Sequence, residues 1–302
     1  MIFISEIGMN YNGNFSLIYE LIKQSKISGA SICKFQLGWR DKPGEINQLD
    51  LEKVNQIINW CNYFEVEPMF SIISEKAYEI FKQTTLKKIK IASRSLKFDF
   101  NLVKKIVEEN EDKKIYMSLG MWEEKFLPFN KKNIDYLFCV SKYPTFSEDL
   151  TNFPKKFSND SFVGYSDHTI GIDTCLLAIA RGAKIIEKHF TDSNQREGPD
   201  HKFALNPLEW AEMVSRVQEL ELALGNKEKK VEENEKETVV VQRRGIRANI
   251  EIKKGDIIKR SDLSILRPCP NECLPANDIY KIINKVSQKN YKSGEIIGLN
   301  DF

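Results

Sequence analysis

The stretch GYSDHTIGIDTCLLAIARGAKIIEKHFTDSNQREGPDHKFAL, Gly164 to Leu205, contains all three histidines of the chain, His168, His189 and His201. It reads as strand, helix, strand. Phe162 to Tyr165 is a short apolar run ending in Ser-Asp-His. Ile172 to Ala180 has helical spacing, Gly182-Ala183 breaks it, and Lys184 to Ile186 opens a second strand that runs into Glu-Lys-His-Phe. If the two strands are parallel neighbours, His168 and His189 sit just past adjacent carboxyl ends, the face on which parallel α/β barrels build their sites. Two imidazoles converging there can hold a divalent metal and leave positions for water and substrate. The alternative is that each histidine caps a strand or satisfies a buried carbonyl. Concentration of every histidine in this one stretch favours the metal.

Outward from that stretch, apolar runs followed by helical patterns fill the first 225 residues. Strand runs fall at Ile2–Ile4, Ser31–Gln36, Met69–Ile72, Lys88–Ile91, Ile115–Met117 and Tyr136–Val140. Helical patterns fall at Leu17–Ile27, Leu51–Phe64, Lys76–Lys82 and Phe100–Glu109, with a short one expected after Gly120 and a last one over Pro207–Leu224. Eight strand units in register predict an α/β fold, a (β/α)₈ (TIM) barrel over residues 1–225. Gly8 and Gly13 lack the spacing of a dinucleotide fingerprint.

A chain of 302 residues accommodates that barrel and a small second domain. Residues 226–238, NKEKKVEENEKET, read as a charged linker, and residues 239–302 as a β-rich domain with tight turns at Lys254-Gly255-Asp256 and Lys292-Ser293-Gly294-Glu295. A net charge of +2 implies no nucleic-acid partner. Six cysteines without framework spacing read as reduced thiols, and Cys269 and Cys273 as ordinary loop thiols. With no signal-peptide pattern and no apolar run of about 18 residues, a cytoplasmic protein without a membrane partner is expected.

The strand ends form a consistent set: Glu6, Lys34, Gln36, Ser71, Lys90, Ser93, Ser118, Ser141, Tyr143, Ser166, His168 and His189, with Asn10 and Asp200 nearby. Lysines inside apolar strands are costly unless paired, so Lys34 and Lys90 stand out. Two ammonium groups among several hydroxyls suit a phosphate or phosphate ester; rim salt bridges are the alternative. Glu6 could serve as a base. These residues predict a metal-assisted enzyme acting on a small phosphorylated molecule.

In order, SEIGMNYNG, CKFQ, KIAS, SLGM, SKYPT, YSDHT, EKHFT and GPDHKFAL resemble the sialic acid synthase family, which includes neuraminate, legionaminate and pseudaminate synthases. The segment from RRGIRANIEIKKGDI to LRPCP resembles that family's antifreeze-like (SAF) domain. The resemblance implies condensation of phosphoenolpyruvate with an open-chain N-acylated amino sugar, giving a nonulosonic acid and phosphate. It implies a divalent ion, commonly Mn²⁺, on His168 and His189. It also implies a domain-swapped homodimer whose small domain covers the partner's barrel. By position in the motifs, Glu6 matches the acid near the chemistry. Lys34, Lys90, Ser71, Ser93, Ser118, Ser141 and Ser166 match phosphoenolpyruvate contacts. Gln36, Tyr143 and Asp200 match the sugar side, and Arg267 an arginine reaching the neighbouring subunit.

Four departures are expected to lie on the sugar side or the lid. Tyr11 replaces the usual histidine in Asn10–Gly13, and Arg94-Ser95-Leu96 replaces an acidic residue after KIAS. The loop through Trp39-Arg40 is short, and Arg267-Pro268-Cys269-Pro270 replaces Arg-Pro-Gly-Asn. Competing readings are a related barrel synthase using a phosphorylated aldose and an inactive carbohydrate-binding relative.

Overall fold

Alternation with period two governs the first part of the chain. Its strands are β1 (Ile2–Gly8), β2 (Ile32–Leu37), β3 (Glu67–Ile72), β4 (Lys88–Ile91), β5 (Lys114–Ser118), β6 (Ile134–Cys139), β7 (Gly164–Asp167) and β8 (Ile185–His189). All pair in parallel in chain order, and β8 closes on β1. Successive side chains on a barrel strand point alternately outward and inward. Phe3, Ile7, Cys33, Phe35, Phe70 and Ile89 accordingly join the outer core beneath the helices. Ile4, Ile32, Met69, Tyr116, Leu137 and Ile185 form a separate inner plug. Two positions further along five of the same strands, the inward residues turn polar: Glu6, Lys34, Ser71, Ser118 and Glu187. The plug is therefore the floor of a polar mouth.

The computed structural model describes residues 1–40, 42, 44–225, 228–298 and 301. The helices around the barrel are α1 (Phe15–Ile27), α2 (Leu51–Tyr63), α3 (Glu75–Lys82), α4 (Ser93–Phe98), α5 (Phe100–Glu109), α6 (Asp173–Ala180) and α7 (Pro207–Leu224). Several begin on side-chain caps that satisfy otherwise orphaned N–H groups. Asp50 accepts from Lys53 N, Ser74 from Ala77 N, and Asn206 forms a capping box with Glu209 ahead of Pro207.

Two expectations fail in this unit. The helix expected after Gly120 does not form; among the described residues β5 and β6 are joined without one. Met121 takes φ +64°, and Trp122 and Phe129 stack on Phe100 of α5 at 6.5 and 5.6 Å between centroids. Aromatic packing holds that connection as an extended loop. Conversely, the six residues of α4 form a helix where none was read.

The chain divides into two units, Met1–Gly225 and Asn226–Phe302, each with its own core. In the second, α8 (Lys236–Gln242) begins inside the charged stretch and leads to the antiparallel pair β9 (Gly245–Ala248) and β10 (Leu263–Leu266). Asn226 and Lys227 of that stretch lie outside the described residues. The core collects Ile246, Ala248, Ile252, Ile258, Leu263, Tyr291 and Ile297. The two expected turns form alike: Lys253 N donates to Asp256 and Lys292 N to Glu295, with Gly255 and Gly294 at positive φ. Cys269 and Cys273 are buried free thiols. No helix among the described residues is long and apolar enough to cross a membrane.

Candidate active site at the barrel mouth

Register assembles the site. Glu6 lies opposite Lys34 on one side and His189 on the other. Ser71 lies between Gln36 and Lys90, and Ser166 between Cys139 and Glu187. The β1–β2 register shifts between Glu6 and Gly8, a bulge of the kind that re-aims side chains at barrel rims. Gly8 takes φ +53°, and a Cβ there would approach Glu6 Oε1 to 2.9 Å. Gly120 is required sterically: a Cβ would lie 2.3 Å from Ser141 Oγ and 2.9 Å from Ser93 Oγ. Instead its N–H donates to Ser93 at 3.0 Å.

The lysines in the strands are paired, and their partners line the same mouth. Lys34 Nζ lies 2.7 Å from Glu6 and 3.4 Å from Glu187; Lys90 Nζ donates to both oxygens of Glu187 at 2.7 and 2.9 Å. Ser166 also donates to Glu187, and Gln36 donates to Glu6 at 2.9 Å. Burial opposes ionisation of Glu187, but Lys34 and Lys90 outweigh it and hold the carboxyl well below its usual range. Burial likewise opposes charge on Lys34, yet Glu187 and Glu6 raise its pKa; on Lys90 burial wins, aided by Lys34, and the pKa falls. The salt-bridge reading of the lysines is the one that the geometry shows, and the paired ammonium groups still line the cavity. Glu187 was missed by sequence reasoning. Its signal was available: in Ile185-Ile186-Glu187-Lys188-His189, period two puts Glu187 on the face of His189 and Lys188 on the opposite face.

His168 and His189 converge, with ring centroids 5.6 Å apart. His168 Nδ1 lies 2.9 Å from the Val140 carbonyl, which only accepts, so Nδ1 carries a proton. Burial opposes charge on this ring, but Cys139 and the Val140 carbonyl outweigh it and raise its pKa. His189 Nδ1 is buried without a hydrogen-bond partner, 3.7 Å from Asp200 Oδ2. Burial, His168 and Lys34 hold the His189 pKa well below its usual value, favouring the neutral ring that metals bind. Burial and Glu6 push Asp200 up to about 6. No group of three or more His, Cys, Asp or Glu forms a complete ligand set among the described residues. The two rings at the mouth are the only imidazoles that the described residues bring together there, and any metal on them would need its remaining ligands from outside the protein.

Every sequence-predicted site residue except Asn10 and Arg267 lines one cavity of about 350 Å³. Asn10 is buried outside it, its amide donating to Phe190 O at 2.9 Å. Arg267 belongs to the second unit, where it is exposed and its Nε donates to the Gln242 carbonyl at 2.7 Å. Tyr11, expected on the sugar side, is buried in the outer core instead, its hydroxyl donating to Asn47 O at 2.8 Å. His201 is also absent from the cavity; it is clamped between Thr191 at 2.7 Å and Asn12 at 3.3 Å. Ser118 Oγ and Gln36 Oε1 are buried at the cavity without partners. Such atoms are costly unless something outside the protein satisfies them.

A closed parallel barrel with paired buried charges and open hydroxyls at its carboxyl mouth defines a (β/α)₈-barrel enzyme. The NeuB family pattern matches residues 45–229, and the chain belongs to that family. It is 33% identical over 286 residues to an uncharacterized protein of Methanocaldococcus jannaschii, covering 88% of this chain and 84% of that one. It is 30% identical to the N,N'-diacetyllegionaminic acid synthase of Campylobacter jejuni, covering 97% and 98%. Among solved structures, the N-acetylneuraminic acid synthetase of Leptospira borgpetersenii shares the fold at TM-score 0.64 and 20% identity, over 79% of this chain and 90% of that one. The spore coat polysaccharide biosynthesis protein of Bacillus subtilis shares it at TM-score 0.58 and 23% identity, over 99% and 94%.

Proposed function

We propose that this protein is a nonulosonic acid synthase that condenses phosphoenolpyruvate with an N-acylated amino hexose and releases phosphate. The observation that carries the reading is the convergence of unsatisfied Ser118, Gln36 and His189 atoms with Lys34, Lys90 and Glu187 on one cavity. Membership of the NeuB family, with relatives named for legionaminic, pseudaminic and N-acetylneuraminate-9-phosphate synthesis, supports it.

In this reading the hydroxyls of Ser71, Ser93, Ser118 and Ser166, with Lys34 and Lys90, bind the anionic groups of phosphoenolpyruvate. Binding redistributes the Lys–Glu pairs rather than creating charge in a dry site. C3 of phosphoenolpyruvate attacks the sugar aldehyde carbon, and the positive charge that develops at C2 lies near Glu6 and Glu187. Water adds at C2, and Glu6 takes one of its protons and passes it to the new sugar alkoxide. The C2–O bond to phosphate breaks as the remaining C2 hydroxyl becomes the ketone and its proton leaves with the phosphate. A divalent ion, Mn²⁺ by family resemblance, would be held by His168 and His189 and would supply Lewis-acid polarisation. Gln36, Tyr143 and Asp200 lie on the same cavity and orient the sugar.

The family resemblance further supports an antifreeze-like second unit, a cytoplasmic location, and a dimer in which Arg267 serves the partner's site. Mixing Arg267→Ala with His189→Ala chains should then regain activity that neither variant has alone. The primary test is phosphate release from phosphoenolpyruvate with Mn²⁺ across N-acetylmannosamine, its 6-phosphate and the 2,4-diacetamido-trideoxyhexoses. Release with one sugar, reduced at least about 100-fold in His189→Ala and abolished by chelator, is expected. A folded, metal-loaded protein that releases none with any sugar refutes the reading.

A further inference from the structure

At the outer edge of the same cavity, two arginines share one indole. Arg40 Cζ lies 5.5 Å from the Trp39 ring centroid and Arg94 Cζ lies 5.1 Å from it. The two come from different strand ends, Trp39-Arg40 following β2 and Arg94 following β4, and all three line the cavity. Among the described residues neither guanidinium has a carboxylate partner. Stacking on an aromatic face occupies the plane of a guanidinium and leaves its N–H edge for an anion.

The charge balance of the cavity shows what these arginines lack. Deep in the mouth, Lys34 and Lys90 are matched by Glu6 and Glu187. The rim pair is unmatched, and placing two cations on one ring is repulsive until an anion joins them. Depth separates this pair from the phosphoenolpyruvate groups: Lys34, Lys90, Ser71 and Ser118 are buried, whereas Arg40 and Arg94 are exposed. An open-chain sugar whose aldehyde lies at the floor extends its far end toward the rim.

We infer that Arg40 and Arg94, braced on Trp39, form an anion subsite for a phosphate or carboxylate on the acceptor sugar. This rests on the synthase reading above and narrows its substrate class to an amino sugar bearing an acidic group remote from the aldehyde. The test pairs N-acetylmannosamine with its 6-phosphate and with N-acetylmannosaminuronate, using wild type and the Arg40→Gln/Arg94→Gln double variant. In phosphate release, an anionic acceptor should exceed the neutral sugar at least about tenfold in kcat/KM, and the double variant should collapse that ratio. A larger gain for the phosphate or for the carboxylate identifies which anion the subsite takes. Equal use of neutral and anionic sugars, or a rise in KM for phosphoenolpyruvate with every acceptor in the double variant, overturns the inference. Calorimetric titration of N-acetylmannosamine and its 6-phosphate, without phosphoenolpyruvate, needs no turnover. Tighter binding of the 6-phosphate, lost in the double variant, supports the subsite even if catalysis fails, whereas equal affinities sink it on their own.

Discussion

Two buried charge clusters lie back to back on β7 and β8, and they differ in one respect. On the inner face Glu187 joins Lys34, Lys90 and Ser166, and the cluster opens on a cavity containing unsatisfied Ser118, Gln36 and His189 atoms. On the outer face Asp167 and Lys188, both side chains fully buried, meet at 2.5 Å. Asp167 also accepts from Tyr165, Thr169 N–H, the Thr169 and Thr174 hydroxyls and Cys175, while Lys188 also donates to Thr169 O. None of the outer cluster's side-chain polar atoms is left without a partner. One residue of displacement along the strand separates a closed clamp from an open site. Completeness, more than charge or burial, distinguishes structural polarity from chemical polarity.

The largest stability effect should come from breaking the clamp. Lys188→Met strands a buried carboxylate and should cost about 3–5 kcal/mol in urea denaturation; a loss below about 1 kcal/mol would break the comparison. Lys90→Met should lower kcat/KM for phosphoenolpyruvate about 10²–10³-fold while shifting the unfolding midpoint less than Lys188→Met does. Equal destabilisation by both would make the inner cluster merely structural. Ser118→Ala removes an orphaned hydroxyl, so kcat/KM should fall about tenfold while the midpoint holds or rises. Thr174→Val deletes one of the clamp's several donors and should cost about 1 kcal/mol with phosphate release unchanged.

The same alternation explains what was legible in the sequence. Eight strands could be read because their outward residues are apolar and their connections carry caps and glycines. The inward polar set was legible wherever a charge or hydroxyl interrupted an apolar strand, as with Lys34, Lys90 and Ser71. Glu187 was obscured because Lys188 follows it directly and the pair resembles an ordinary ion pair; only the strand's two faces separate them. The loop after Gly120 was misread because its Trp122 and Phe129 suit either a helix face or a stack on Phe100, and only the tertiary partner decides. Tyr11 was placed on the sugar side by analogy with a histidine, but its hydroxyl finds Asn47 O across a loop whose path local sequence does not specify.

The closure of β8 on β1 places Glu6 opposite His189, residues 183 positions apart (189 − 6 = 183). At about 5–20 residues per second, synthesis takes about 10–40 s to cover that gap. Throughout that interval β1 can pair with β2 but keeps a bare edge of the kind that recruits foreign strands. The nascent chain therefore carries its acid long before the second imidazole of the site, and the seam that completes the chemistry is also the seam that covers the barrel's last bare edge.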